Sequence, residues 1–182
     1  LTFESKVKKI KNIEACVLGD LHYGHHDVDI LKKSLKMLHK LKPKHVVLHD
    51  VFDGYSISHH NAKDPFIQYS NEVHGNNDLK KEVDELIDGL KVFKGFENVV
   101  IVRSNHDDFL DRWLKLGDWK KQSTMKNSPL YMEYSGMLLR QYADTPGNVK
   151  GIIPELINRE YPNYITLNRD ESYNVLGFEL GC

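Results

Sequence analysis

Three clusters of carboxylate, imidazole and amide side chains suggest a site for metal-dependent chemistry. Each cluster comes directly after a short apolar run. The clusters are Gly19-Asp20-Leu21-His22, His49-Asp50-Val51-Phe52-Asp53 and Ser104-Asn105-His106-Asp107. Oxygen and imidazole ligands together suit Mn²⁺, Fe or Zn²⁺. The sequence therefore predicts a site for such a metal if the fold brings the three clusters together.

The apolar runs before the clusters predict three β-strands. Residues 15–18, 46–48 and 99–102 form these runs, and the first is typical of a strand buried on both faces. Ligands of open α/β sheets gather at the carboxyl ends of the strands, so adjacent strands would bring the candidate ligands within a few ångströms of one another. Those candidates are Asp20, His22, Asp50 and Asn105.

Helical patterns separate the strands. Leucines 31, 35 and 38 recur at helical spacing and Pro43 follows them, which predicts a helix over residues 28–41. A long polar segment, 50–77, leads to a second amphipathic helix that starts near Leu79, with Gly95 placed to end it. The alternation implies right-handed crossovers and a mainly parallel central sheet flanked by helices, which is a layered α/β fold.

The rest of the chain is predicted to be helical and then to return to strands. Residues 108–160 have a mostly helical pattern, and Ser128 and Pro129 are a typical helix start. Residues 164–167 and 173–180 are predicted strands, either antiparallel or at the edge of the sheet.

Composition narrows the class of protein. With 182 residues, of which 40% are hydrophobic, the chain is expected to form one domain over residues 1–182. A net charge of −1 provides no overall positive field, so any binding of a polyanion must be local. Two cysteines cannot build a multi-disulfide framework, and no apolar run approaches membrane-spanning length. A cytoplasmic location without membrane association is the default expectation.

The three clusters are more informative as a set than singly. Asp and Asn after a strand commonly cap helices or form turns, and this is the simpler interpretation of any one cluster. Together, however, the clusters resemble the opening motifs of calcineurin-like metallophosphoesterases: Asp-x-His, Gly-Asp-x-x-Asp, and Gly-Asn-His followed by Asp or Glu. His49 and Ser104 replace glycines of those motifs, and neither change removes a ligand. The resemblance implies the layered calcineurin-like phosphoesterase fold.

The resemblance also implies a role for each matching ligand residue. Asp20 and His22 would hold one metal ion. Asp50 would bridge two ions, and Asn105 would bind the second. The implied cofactor is a pair of divalent cations, with Mn²⁺ expected and Fe or Zn²⁺ as alternatives.

His106 is implied to be the catalytic histidine. In the family mechanism, a hydroxide made acidic by two cations attacks phosphorus while the imidazolium protonates the departing alkoxide. Asp53 would orient His106 and favour its charged form. Asp107 is better interpreted as a carboxylate that structures the loop than as a ligand.

All ten histidines lie at or before His106, although the family site needs three more from later motifs. We therefore expect this chain to be the N-terminal portion of the catalytic core, with a fold that is incomplete at the C-terminus. A fragment with only four of the protein ligands is expected to bind metal weakly and to be inactive without the later motifs.

Residues beside the motifs favour phosphodiester substrates. Gly54 and Asp107 stand where the related protein phosphatases carry Arg and Glu, so the pattern resembles the nuclease and phosphodiesterase branch, including phage-encoded DNA-degrading phosphoesterases. DNA is therefore the favoured partner. His59 and His60 lie just past the second cluster and suit contacts with a phosphodiester, although a solvated loop is an equally good interpretation.

Two other functions remain open at this point. A phosphoesterase-like scaffold without catalysis would work by binding a partner, and the missing histidines fit that alternative. A phosphomonoesterase that acts on a small molecule or a phosphoprotein would differ from the nuclease only in the shape of its cleft.

Overall fold

A computed structural model describes residues 13–117, 119–120 and 122–181, and its architecture is α/β. The strands are β1 (Ala15–Leu18), β2 (His45–His49), β3 (Asn98–Val102), β4 (Ile165–Leu167), β5 (Ser172–Val175) and β6 (Phe178–Gly181). The first four form one sheet in the order β1-β2-β3-β4, and every pairing in it is parallel. Strands β5 and β6 form a separate antiparallel hairpin.

Helices flank the sheet, as the sequence predicted. They are α1 (Val28–Leu41), α2 (Pro65–His74), α3 (Leu79–Leu90), α4 (Asp107–Leu116), α5 (Ser128–Asp144) and α6 (Ile152–Glu160). Short 3₁₀ turns span Tyr55–Ile57, Asn61–Lys63, Lys91–Phe93 and Gln122–Asn127. The predictions of a parallel sheet flanked by helices and of a mostly helical segment over 108–160 are confirmed.

Helix α1 has the bounds expected from its leucine spacing. Asp27 caps the first turn, because its carboxylate accepts hydrogen bonds from the N–H groups of Asp29 and Ile30. The helix ends at Lys42, whose φ of 50° reverses the chain while its N–H donates to the carbonyl of Leu38. Leu38 is fully buried in the main core.

The two faces of the sheet pack into different clusters. Successive residues of a strand point to opposite faces. Val46 and Leu48 of β2 therefore enter the main core with the helices, whereas Val47 faces the other side. On that side, residues of β2, β3 and β4 pack against the hairpin. This smaller cluster contains Val47, Val100, Val102 and Leu167, with Tyr173 and Leu180 packed against it.

Strand β1 is not buried on both faces as predicted. It lies at the edge of the sheet, and Val17 is 58% exposed. The hairpin packs against side chains of β2, β3 and β4, so the side chain of Val17 is left without cover on the same face.

The hairpin replaces the single strand that was predicted over 173–180. Leu176 and Gly177 both have positive φ, at 52° and 88°, which is the backbone of a tight two-residue hairpin turn. Strand β4 lies at the edge of the sheet, which was one of the two predicted alternatives, and it runs parallel to β3.

Helix α2 lies within the polar segment 50–77, where the sequence indicated no helix. Its start is a capped one: Asp64 accepts hydrogen bonds from the N–H groups of Phe66 and Ile67, and Pro65 is the first helical residue. Gly75 ends it with a φ of 70°. Phe66 is 85% exposed, so the helix lacks the buried apolar stripe from which helices are normally recognised in a sequence.

Helix α3 ends before the glycine that was expected to end it. The helix stops at Leu90 and continues as the 3₁₀ turn Lys91–Phe93, so Gly95 lies beyond both. Tertiary contacts help to set this end: Tyr164 Oη donates a 3.0 Å hydrogen bond to the carbonyl of Leu90, and Phe93 is fully buried.

A nearly buried ion-pair network fixes α4 to the end of β3. Arg103 Nη2 donates a 2.7 Å hydrogen bond to Asp111 Oδ2, and Nη1 donates one of 2.6 Å to the carbonyl of Lys150. The other oxygen of Asp111 accepts from the N–H of Ile152 at the start of α6. The side chains of Arg103 and Asp111 are only 11% and 8% exposed. This carboxylate therefore connects β3, α4 and α6.

A second carboxylate, Glu82 of α3, holds the 3₁₀ turn Tyr55–Ile57. Its Oε1 accepts a 3.0 Å hydrogen bond from the N–H of Ser56, and its Oε2 accepts one of 2.6 Å from Ser56 Oγ. Burial raises the pKa of Glu82 to about 7 from 4.5, although the hydrogen bonds from Ser56 oppose this rise.

We expect Asp111→Ala to lower the free energy of unfolding by about 3 kcal/mol, because the nearly buried Arg103 would keep only Asp108 as a carboxylate partner and the N–H of Ile152 would lose its acceptor. Asp84→Ala is the control. It removes an exposed carboxylate paired with Lys80 and should cost less than about 0.5 kcal/mol. Urea denaturation of both variants measures the two losses. Equal losses would mean that the Arg103 network contributes no more to the free energy of unfolding than a surface ion pair does.

The raised pKa of Glu82 predicts a pH dependence of stability. Because the folded chain holds this proton more tightly than the unfolded chain, the stabilising contribution present below about pH 4.5 is lost as the pH rises through about 7. Over that interval, we expect the free energy of unfolding to fall by up to about 3 kcal/mol more in the parent than in Glu82→Gln. Gln keeps an oxygen for the N–H of Ser56 but does not titrate. Parallel pH profiles from urea denaturation would contradict this prediction.

Candidate metal centre

The three predicted clusters meet at the carboxyl edge of the sheet. The parallel register places the ends of β1, β2 and β3 side by side. The loops after β1 and β2 are also hydrogen-bonded to each other, because the N–H of His22 donates to the carbonyl of Asp50 at 2.7 Å. The N–H of Tyr23 donates to the carbonyl of Val51 at 3.1 Å. The first two clusters therefore form one backbone unit.

Three of the four predicted metal ligands form a compact group. Asp20, His22 and Asp50 each offer one ligand atom, and these atoms lie within 4.8 Å of one another. Asp50 is buried, His22 is partly buried and Asp20 is exposed. The group therefore opens to solvent on one side. Their role as metal ligands stays a prediction.

The backbone of these three residues is strained. Asp20, His22 and Asp50 have φ values of 52°, 37° and 52°, in the left-handed region that costs a residue other than glycine about 1–3 kcal/mol. Two further non-glycine residues in the described part of the chain share this feature, the helix cap Lys42 and the turn residue Leu176. Strain at adjacent polar side chains is typical of a functional site.

One buried polar atom in the group fits a cation. Asp50 Oδ1 is buried and has no hydrogen-bond partner within the described ranges. The other oxygen of Asp50 lies 2.9 Å from Nδ1 of His49. His49 therefore contacts one oxygen of Asp50 and leaves the other oxygen without a hydrogen-bond partner in the described part of the chain. A carboxylate oxygen without a partner is costly to bury, and a divalent cation would offset that cost.

A second group lies beside the first and contains the predicted catalytic pair. His22, Asp53 and His106 also place one ligand-type atom each within 4.8 Å of one another. His106 Nδ1 is 2.8 Å from the carbonyl oxygen of Asp53 and 3.4 Å from its carboxylate. Because a carbonyl only accepts, Nδ1 is the donor in this hydrogen bond, and the other ring nitrogen of His106 is available for a substrate.

His25 follows the first motif closely in sequence and also contacts this group. Its Nδ1 lies 2.5 Å from Asp53 Oδ2, and Nδ1 of His22 lies 3.4 Å from Asp53 Oδ1. With His106, three imidazoles thus approach one carboxylate. The tight turn after His22, in which the N–H of His25 donates to the carbonyl of His22, produces this contact. Sequence spacing alone does not reveal that turn.

The third cluster forms the turn between β3 and α4. Asn105 is exposed in this turn, next to His106. Asp107 is buried, and its Oδ2 accepts a 2.8 Å hydrogen bond from the N–H of Ser104, which is the loop-structuring contact expected of it. Burial raises the pKa of Asp107 to about 7. Ser104, in place of the motif glycine, is fully buried, and its hydroxyl accepts from the N–H of His106.

His59 and His60 lie outside both groups, beyond Phe109. The ring of Phe109 is centred 4.8 Å from that of His106, 5.4 Å from that of His59 and 6.0 Å from that of His60. Gly54 permits this arrangement, because a Cβ there would lie 3.2 Å from Phe109 on a backbone with a φ of 69°. The two histidines line an adjacent cavity, so their role as substrate contacts stays a prediction.

Comparison with known proteins finds similarity to a phage protein. The chain is 30% identical to Protein A1 of Escherichia phage T5 over 148 residues, which is 78% of this chain and 26% of Protein A1. The chain therefore spans about a quarter of the length of that relative. No protein-family model matches the chain, and no solved structure matches it. Among the residues described, no helix is both long and apolar enough to cross a membrane.

Proposed function

We propose that this chain contributes to a calcineurin-like, two-metal phosphoesterase site that hydrolyses phosphodiester bonds, with DNA as the favoured substrate. The observation that carries the proposal is the convergence of Asp20, His22 and Asp50 beside the His106–Asp53 pair. Side chains from three separate loops provide this arrangement. Independent turns or helix caps would not need to meet at one edge of the sheet.

We assign the candidate ligands to two cations. Asp20 and His22 would hold one ion. Asp50, whose buried Oδ1 has no hydrogen-bond partner in the described ranges, would contact both ions. Asn105 would reach the second ion from the next loop. When bound, two Mn²⁺ ions, or Fe or Zn²⁺ in their place, would acidify water and neutralise charge on the phosphoryl oxygens.

His106 would deliver a proton to the departing oxygen. The carbonyl of Asp53 holds Nδ1, which fixes the ring and directs Nε2 outward to the substrate. The carboxylate of Asp53 also lies 3.4 Å from Nδ1 and helps to orient the ring for this role. Asp53 is thus a positioning residue, and His25 shares its carboxylate.

The preference for DNA has two supports. Gly54 and Asp107 stand where the protein phosphatases of the superfamily that this chain resembles have Arg and Glu. In the structure, Gly54 allows close packing against Phe109, and Asp107 accepts a hydrogen bond within its loop. The phage origin of Protein A1 is compatible with a phage enzyme, although that name states no activity.

Metal binding tests the assignment of Asp50. We expect Mn²⁺ to raise the melting temperature of the parent chain, because a ligand that binds the folded state stabilises it. Asp50→Asn should weaken the Mn²⁺ affinity at least about tenfold, since the neutral amide loses the charge attraction. Asp64→Asn is the matched control, because Asn caps helix α2 equally well and lies away from the site. Isothermal titration provides the affinities, and equal values for parent and Asp50→Asn would reject the assignment.

Hydrolysis by the full-length protein tests the activity. With Mn²⁺, we expect cleavage of bis-p-nitrophenyl phosphate and of linear duplex DNA, and a loss of about 10²–10⁴-fold in His106→Ala because the general acid is removed. His74→Ala is the control, since His74 is exposed on α2 and bonded to Ser70.

The outcomes separate the alternatives. Inactivity of the parent with Mn²⁺, Fe²⁺ and Zn²⁺ would favour the non-catalytic scaffold. Hydrolysis of p-nitrophenyl phosphate without hydrolysis of either diester would favour a phosphomonoesterase.

A further inference from the structure

A cavity of about 640 Å³ adjoins the candidate metal centre. It lies between the two 3₁₀ turns after β2, helix α2 and helix α4, and its size is within the range of sites for small ligands. Neither the metal centre nor the catalytic pair uses it.

The cavity lies next to the His106–Asp53 pair, on the other side of Phe109. Phe109 lines it, and the ring of Phe109 is centred 4.8 Å from that of His106. On its other side, the same ring contacts His59 and His60, which also line the cavity. A phosphodiester bound at His106 would therefore lie one aromatic ring away from this space.

The lining of the cavity is cationic. Lys63 and Arg112 are exposed there beside His59 and His60, and no acidic residue is among the described residues that line it. Arg112 Nη1 lies 3.3 Å from His59 Nε2. Desolvation lowers the pKa of His59, and the positive charges of His60, Arg112 and Lys63 lower it further. An anion would relieve the repulsion within this group.

The inner wall is aromatic and carries polar groups. Trp113 is 6% exposed, and its indole N–H is buried without a hydrogen-bond partner among the residues that the structure describes. Two buried amide side chains, Asn71 and Asn77, also line the cavity. Aromatic surface beside donors and acceptors suits the face and edges of a nucleobase.

We propose that this cavity binds the nucleoside next to the scissile phosphate, with Arg112 and Lys63 contacting the following phosphate. This inference rests on the proposed phosphodiester substrate, which it specifies as a nucleic acid. A free phosphate would pair with Arg112 and Lys63, but it would not contact the aromatic wall and would leave most of the cavity empty.

Direct binding without metal tests the cavity independently of hydrolysis. The probe is thymidine 3′,5′-bisphosphate in EDTA, measured by isothermal titration against the full-length protein. We expect binding at least about tenfold tighter than that of inorganic phosphate, because the nucleoside adds stacking. Arg112→Ala and Lys63→Ala should each weaken nucleotide binding about tenfold through loss of a charged contact. Lys115→Ala, on the same helix but paired with Tyr142, should not.

The outcomes distinguish this inference from the proposed function. Hydrolysis of bis-p-nitrophenyl phosphate together with no binding of the bisphosphate would overturn the nucleoside site alone. Binding that is lost in Arg112→Ala, in a protein that hydrolyses no diester, would support the site and reject the enzyme. Equal affinity for inorganic phosphate and the bisphosphate would overturn the inference in favour of a simple anion site.

Discussion

The parallel register of β1, β2 and β3 is the constraint on which the candidate site depends. It brings residues from Asp20 to His106 to one edge of the sheet, and the hydrogen bond from His22 to the carbonyl of Asp50 joins the first two loops. A slip of one residue would turn each strand over and exchange its two packing faces. Since those faces enter two different hydrophobic clusters, core packing and site geometry specify the same register.

Within this frame, Asp53 organises the histidines. Its carboxylate and carbonyl together approach His22, His25 and His106. The surroundings are also fixed by carboxylates: Glu82 holds the 3₁₀ turn that follows Asp53, and Asp107 holds the turn that carries His106. Each of these supports is buried and accepts a backbone hydrogen bond, so the His106–Asp53 pair is held by the core as well as by the loops that contain it.

The sequence predicted the elements whose apolar residues face the core and missed those that depend on local backbone geometry. The leucine spacing of α1 and the apolar runs of β1 to β3 gave these elements to within a residue. Helix α2 was missed because its apolar residues are exposed, and the hairpin turn was missed because positive φ at Leu176 has no clear sequence signal. The candidate ligands followed from motif and strand order. The contact of His25 with Asp53 and the position of Trp113 at the cavity did not follow, since both arise only from the folded loops and helices.

The left-handed backbone at Asp20, His22 and Asp50 has an evolutionary consequence. Three such residues, at about 1–3 kcal/mol each, amount to a sizeable part of the stability of an average domain. A lineage released from selection on the site could regain that stability by changing these positions to glycine, which adopts the same conformation at little cost. Asp, His and Asp kept at these positions across related chains would therefore indicate selection on the site. Glycine at the same positions in a related chain would mark the loss of the site.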